Sequence, residues 1–236
     1  MKIGFDFGMT NSTISYIDEE ARLVNFRFSA AENDYIPSII SYDKRRPDNV
    51  AIGVAARDCI TVEHFETYDK FKLKLGAGFK STLPGKSKAP SEVARDFVRE
   101  FLQRFEEKQK KEVDVIVMTV PATWVKETSN QGTRENLEQI FDELGFGDKL
   151  QMESEPVAAA VFFCHAHRNK YGSEYRGFIT VIDFGGGTLD VTLCESTEGK
   201  TIKVLEYYGF GEDNLTNGQA GVAFDEAMIE KLMWKS

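Results

Sequence analysis

Cysteine is scarce in this chain, and so are basic blocks and long apolar runs. The 236 residues contain three cysteines, Cys59, Cys164 and Cys194. Their odd number and wide spacing exclude a disulfide framework and a cysteine-built zinc site. Buried or half-buried thiols in a reducing compartment are expected instead, with the cytoplasm as the location. His165 and His167 form a close pair of imidazoles without further ligands, which fits a surface helix end better than a metal site. The longest strongly apolar run, Val157 to Cys164, is far too short to cross a bilayer. The opening "MKIGFDFG" places an aspartate where a secretory signal needs apolar residues. Positive charge is also short: the net charge is −9, and the basic run Lys108-Gln109-Lys110-Lys111 sits among acidic neighbours. Such a balance excludes wholesale binding of nucleic acid or of an anionic membrane. A ligand bearing phosphates would need a local device.

What is present is alternation and helical periodicity in sequence. "KIGFDFG" puts Ile3, Phe5 and Phe7 on one face and Gly4, Asp6 and Gly8 on the other, as a strand does. "STISYID" and "RLVNFRF" continue a meander, whereas residues 30–90 are less regular, with a strand at "PSIISY" and a glycine-rich turn at "LGAGFKS". Val93, Phe97, Val98, Phe101, Leu102 and Phe105 predict one amphipathic helix over 91–110. "VDVIVMTV" is continuously apolar, the pattern of a strand covered on both faces, and Pro121 ends it. Leu137, Ile140, Phe141 and Leu144 mark another helix, stopped by Gly145. Glu155-Pro156 opens a third, which "VAAAVFF" predicts to be deeply packed. Strands return at "FITVIDF", "TLDVTLC" and "TIKVLEYY", and a last helix begins near "FDEAMIEKL". The class is α/β, with a mixed sheet expected at each end.

Two stretches repeat one another. "IGFDFGMTNSTISYI" and "VIDFGGGTLDVTL" each carry an apolar strand, Asp-Phe-Gly, a short loop, a threonine and a second alternating strand. A repeat of this kind predicts two related halves facing each other. Lacking Cβ atoms, Gly185, Gly186 and Gly187 let backbone amides close on an anion. Thr10 and Thr188 add hydroxyl donors, and Asp6 and Asp183 would point at one place from opposite sides. Two carboxylates beside a polyphosphate call for a divalent cation held largely through water, as magnesium prefers. One glycine-rich hairpin alone would carry little weight; two in register carry much more. Other phosphate motifs fail. "PGKS" at Pro84 to Ser87 has Lys80 where a P-loop needs glycine. Neither Asp-Phe-Gly is accompanied by a kinase His-Arg-Asp loop, and no Gly-x-Gly-x-x-Gly opens a helix.

"GFDFGMTNS", "VMTVPATW", "ESEPVAAAV", "VIDFGGGTLDVTL" and "AGVAFDEAM" resemble, in order and spacing, the nucleotide-binding domain of the seventy-kilodalton heat-shock chaperones, the DnaK-like branch of the actin-like ATPases. The resemblance implies an actin-like ATPase (ribonuclease H-like) fold. Its first lobe would cover 1–177, with a subdomain inserted at about 30–112, and 178–236 would begin a second lobe that remains incomplete. It implies ATP or ADP with Mg2+ in the cleft: Asp6 and Asp183 on the metal's water shell, and Gly8, Thr10, Asn11, Gly185, Gly186, Gly187 and Thr188 on the phosphates. Glu155 matches the family's catalytic glutamate and Lys72 its catalytic lysine, with Lys70 and Lys74 competing for that register; Asp183 shares in catalysis, and Gly221 lies in the later glycine segment. The implied reaction is in-line attack of water on the γ-phosphate, slow and used as a switch. Co-chaperones and client proteins are the implied partners.

Departures from the family pattern bear on rate and signalling. Met9 replaces a threonine, Ser129 stands where a relay arginine is usual, and Ala220 replaces the first glycine of the later pair. The family's adenosine-holding residues would lie beyond Ser236, so a fragment that binds nucleotide feebly by itself is expected. The alternatives are a non-hydrolytic nucleotide sensor or partner-binding module, and then an actin-like filament protein or a sugar kinase.

Overall fold

The computed structural model describes residues 1–28, 34–77, 86–122, 124, 131–197, 201–210 and 220–233. Ser129, part of the "PGKS" stretch and the end of the glycine-rich turn fall outside the described residues. The chain divides into two compact units, one of residues 1–118 with 128–152 and one of residues 119–127 with 153–236.

In the first unit, β1 (Lys2–Phe7) alternates as expected, burying Ile3, Phe5 and Phe7 and exposing Lys2, Gly4 and Asp6. It pairs antiparallel with β2 (Asn11–Ile17), which pairs with β3 (Leu23–Asn25) and with the two-residue β4 (Ile36–Pro37). The sheet runs β3-β2-β1-β8-β9, where β8 is Val115–Val120 and β9 is Leu150–Ser154. Phe5 and Phe7 stack down onto α2 (Pro90–Gln109): Phe5 meets Phe101 edge-on at 5.5 Å and Phe7 meets Phe97 at 5.9 Å. All six apolar residues expected on the α2 stripe are buried. Proline stands in its first turn, and the Glu92 carboxylate accepts the Ala89 amide at 2.7 Å, satisfying one orphan donor of the helix start. Strand β8 buries Ile116, Met118 and Val120 but leaves Val117 36% exposed, so it is covered on one face rather than two. Helix α3 (Gln131–Glu143) buries Leu137, Ile140 and Phe141, and Gly145 follows it at φ +78°.

Residues 40–68 hold more order than their sequence advertises. β5 (Ile40–Asp43), β6 (Arg46–Ile52) and β7 (Phe65–Tyr68) form an antiparallel sheet in the order β6-β5-β7. Central β5 buries all four residues, including Ser41 and Asp43, so the alternation that betrays a strand is missing. Its polar groups are paired locally: Ser41 donates to the Ala56 carbonyl at 2.9 Å, and Tyr42 donates to the Asp96 carboxylate at 3.0 Å. A short α1 (Val54–Arg57) and a 3-10 segment, Phe71–Ala77, complete this region.

In the second unit, β10 (Gly177–Phe184), β11 (Leu189–Ser196) and β12 (Ile202–Phe210) make a sheet in that order. It is antiparallel throughout, not mixed, because only a few residues separate successive strands, too few for a helical crossover. Helix α4 (Glu155–Tyr171) packs beneath it and ends at Gly172, φ +69°, whose amide donates to the Arg168 carbonyl at 2.8 Å. The helix is less deeply packed than its sequence predicts. Pro156, Ala160 and Cys164, four apart, form one narrow buried stripe, while Val161, Phe162 and Phe163 are exposed. Helix α5 (Gly221–Met233) closes the described chain. Among the described residues no helix is long and apolar enough to cross a membrane.

Candidate functional site

The first glycine loop joins β1 to β2 and is held from behind by its carbonyls. Lys72, 8% exposed, donates its ammonium to the Phe7 carbonyl and lies 5.5 Å from the Phe7 ring centroid. The Ser38 hydroxyl donates to the Gly8 carbonyl at 2.8 Å, and the Ser38 amide donates to the Thr10 carbonyl at 2.8 Å. Gly8 has to be glycine: a Cβ there would lie 2.0 Å from the Asn11 carbonyl oxygen, a backbone atom that cannot swing aside. Thr10 and Asn11 are exposed at the rim, Met9 is half-buried, and the Asp6 carboxylate is on the exposed face of β1, in register with Thr13. Of the three lysines in register, Lys72 is the buried one. Lys70 stands on a left-handed backbone, φ 52°, and is half-buried, as is Lys74.

The second loop joins β10 to β11. The Gly185 amide donates to the Thr188 carbonyl at 2.9 Å, closing the loop on itself. The Gly221 amide, at the start of α5, donates to the Gly185 carbonyl at 3.0 Å, so the later glycine segment abuts the loop in the same unit. A Cβ at Gly221 would sit 3.1 Å from that carbonyl oxygen and 3.5 Å from the Gly186 Cα. Asp183 faces Asp190 directly across the β10–β11 ladder. Asp190 is 4% exposed, and its Oδ2 has no hydrogen-bond partner among the described residues. Burial pushes the Asp190 carboxyl above the usual carboxylate range; the Thr188 hydroxyl bond works against that rise and the Asp183 charge adds to it. An orphaned carboxylate oxygen beside a second carboxylate fits a cation or its water shell. Glu155 occupies the first turn of α4, half-buried, in this same unit.

Within the first unit, then, Lys72, Gly8 and Thr10 converge on one loop; within the second, Asp183, Gly185, Thr188 and Gly221 converge on another. Asp190 and Ser38 were missed in the sequence. Asp190 reads there as one polar position of an alternating strand; the available signal is that Asp183 and Asp190 stand symmetrically about the loop, which an antiparallel hairpin turns into a facing pair. Ser38 carries no signal of its own, because its role depends on β4 pairing with β2. Among the described residues no group of three or more histidine, cysteine, aspartate or glutamate side chains forms a metal cage.

A family model described as Hsp70 protein matches residues 77–235. The chain is 27% identical over 230 residues, 98% of its length, to the chaperone protein DnaK of Thermosipho melanesiensis. It is 27% identical over 228 residues to the DnaK of Thermotoga maritima, and 28% identical over 261 residues to the chaperone protein HscA homolog of Pseudomonas aeruginosa. It spans 35% of the length of these DnaK relatives and 38% of the HscA homolog.

Proposed function

Because the chain belongs to the Hsp70 family, we propose that its glycine loops bind the phosphates of ATP or ADP with Mg2+, and that the full-length protein hydrolyses ATP slowly as the nucleotide-controlled part of a chaperone-like machine. The observation that carries this reading is the second loop, where buried Asp190 Oδ2 lacks a hydrogen-bond partner among the described residues, beside Asp183 and a triple glycine. Magnesium keeps most of its water ligands, so a site for it needs one or two carboxylates and not a dense cage. Asp6 and Asp183 are the residues that would hold it, and its charge would offset that of the phosphates.

The chain's own residues supply the rest. Amides of Gly186 and Gly187, and the loop of Gly8, Thr10 and Asn11, are the proposed phosphate donors, while Gly185 and Thr188, whose amide and hydroxyl are engaged by the Thr188 carbonyl and by Asp190, shape the second loop. An ammonium has three donors, so anchoring Lys72 on the Phe7 carbonyl is compatible with contact to a phosphate. Glu155, placed by the start of α4, would orient the attacking water. Clients and co-chaperones are the proposed partners, without nucleic acid or membrane, in keeping with the −9 net charge. Buried cysteines outside any disulfide, Cys164 and Cys194, support a reducing compartment, which we take to be the cytoplasm.

Single-turnover hydrolysis of ATP by the full-length protein tests the reading. Slow hydrolysis that requires magnesium and is lost in Glu155→Ala is expected. Binding with no turnover in the wild type would favour a non-hydrolytic nucleotide sensor, the second reading, which rests on the half-buried Met9 thioether standing where a hydroxyl would face the phosphates.

A further inference from the structure

Resting on the phosphate-binding reading, we propose that Ser38 is a positioning residue: from the bend just after β4 it sets the direction of the amide donors in the first glycine loop, with Ser12 as its relay. The Ser38 Oγ lies 2.8 Å from the Gly8 carbonyl oxygen and 2.9 Å from the Ser12 Oγ. A carbonyl only accepts, so the Ser38 proton goes to Gly8 and the Ser12 hydroxyl donates to Ser38. The direction of the relay is therefore fixed. Both serines are shut away from water, Ser12 at 0% and Ser38 at 2% exposure, so bulk solvent does not replace these bonds.

The consequence follows from peptide geometry. A trans peptide is planar, and its N–H points opposite to its C=O. Fixing the Gly8 carbonyl inward turns the Met9 amide outward, and fixing the Thr10 carbonyl through the Ser38 amide does the same for the Asn11 amide. Two donors of the loop are thus aimed before any anion arrives, both by one serine. Preorganised donors are worth more to a phosphate than donors that must turn toward it.

The test is calorimetric titration of the full-length wild type, Ser38→Ala, Ser38→Thr and Ser41→Ala with magnesium–ATP and, separately, with adenosine. Ser41 is equally buried and bonds to the Ala56 carbonyl, not to the loop, so its variant controls for simple destabilisation. Ser38→Ala keeps the amide bond and loses the hydroxyl. It should weaken magnesium–ATP about tenfold and leave adenosine affinity unchanged. Ser38→Thr should restore ATP affinity to within about threefold, and Ser41→Ala should leave the ATP-to-adenosine ratio as in the wild type. Equal losses for both ligands, or none, in Ser38→Ala would overturn the inference while leaving phosphate binding intact. Absence of ATP binding by the wild type would overturn both. Should Ser38→Ala fail to fold, Ser12→Ala reads the same ratio through the relay: a selective loss smaller than tenfold supports the assignment, and an unchanged ratio overturns it.

Discussion

The two Asp-Phe-Gly segments share a sequence but not a setting. In the first, Phe7 is fully buried, stacked on Phe97 and Phe71, and the loop beyond it is pinned by Lys72 and Ser38. In the second, Phe184 is 61% exposed on the same outer face of β10 as Phe178 and Ile182, and the loop is tied by its own Gly185–Thr188 bond and by Gly221. The buried side of β11 carries polar Asp190, Thr192 and Ser196 around Cys194, whereas the first hairpin buries Ile3, Phe5, Phe7 and Ile14. The first loop is thus a rigid cradle built on an aromatic core. The second is an electrostatic one, in which the buried Asp190 carboxyl keeps one oxygen, Oδ2, without a hydrogen-bond partner among the described residues.

Paired substitutions sharpen this contrast. Phe7→Ala should cost about 3–5 kcal/mol, the usual loss for a buried aromatic, when the 236-residue chain is unfolded in urea. A loss below about 1 kcal/mol would show that the first loop does not rest on this core. Asp190→Asn comes next. The folded carboxyl is raised, so the folded state binds the proton more tightly than the unfolded one; stability is fully present below the ordinary carboxylate value and falls as pH rises toward the folded one. Removing the charge should therefore raise Tm at pH 7 by about 2–4 °C, with no gain near pH 3, while magnesium–ATP affinity falls. A gain that is the same at both pH values would contradict buried charge as its cause. Gly221→Ala sets two small effects against each other. The added methyl presses on the Gly185 carbonyl at 3.1 Å, yet alanine favours the helix start by up to about 1 kcal/mol. Thermal melting should hardly move while nucleotide affinity drops about threefold; unchanged affinity would detach Gly221 from the loop. Smallest of all, Phe184→Ala in the same chain should change stability by no more than about 0.5 kcal/mol, as exposed positions do, and a loss matching that of Phe7 would erase the contrast.

Legibility followed periodicity. β1, α2 and α3 bury one face each, so Phe5, Phe97 and Ile140 announce themselves by spacing. β5 does so only in part: the strand expected at "PSIISY" overlaps Ile40–Asp43, but with Ser41 and Asp43 inside it lacks alternation, and the pairing of Tyr42 with Asp96 and of Ser41 with Ala56 is not written in the spacing. Apolar runs misled in the opposite direction. "VAAAVFF" on α4 and "VIVMTV" on β8 look buried all round, yet each has a single covered face, because burial depends on what lies opposite, which a run of valines does not encode. In the candidate site the glycines and Asp183 were visible because their chemistry is local. Asp190 needed the hairpin register, and Ser38 needed a strand pairing across 26 residues.

Calorimetric titration of the full-length protein with ATP, with and without magnesium, in the wild type and in Asp183→Asn, bears most directly on the second loop as a metal–phosphate site. Affinity that depends on magnesium in the wild type and falls at least about tenfold in the variant is the expected result. Equal ATP affinity in both proteins, or wild-type binding indifferent to magnesium, would contradict it.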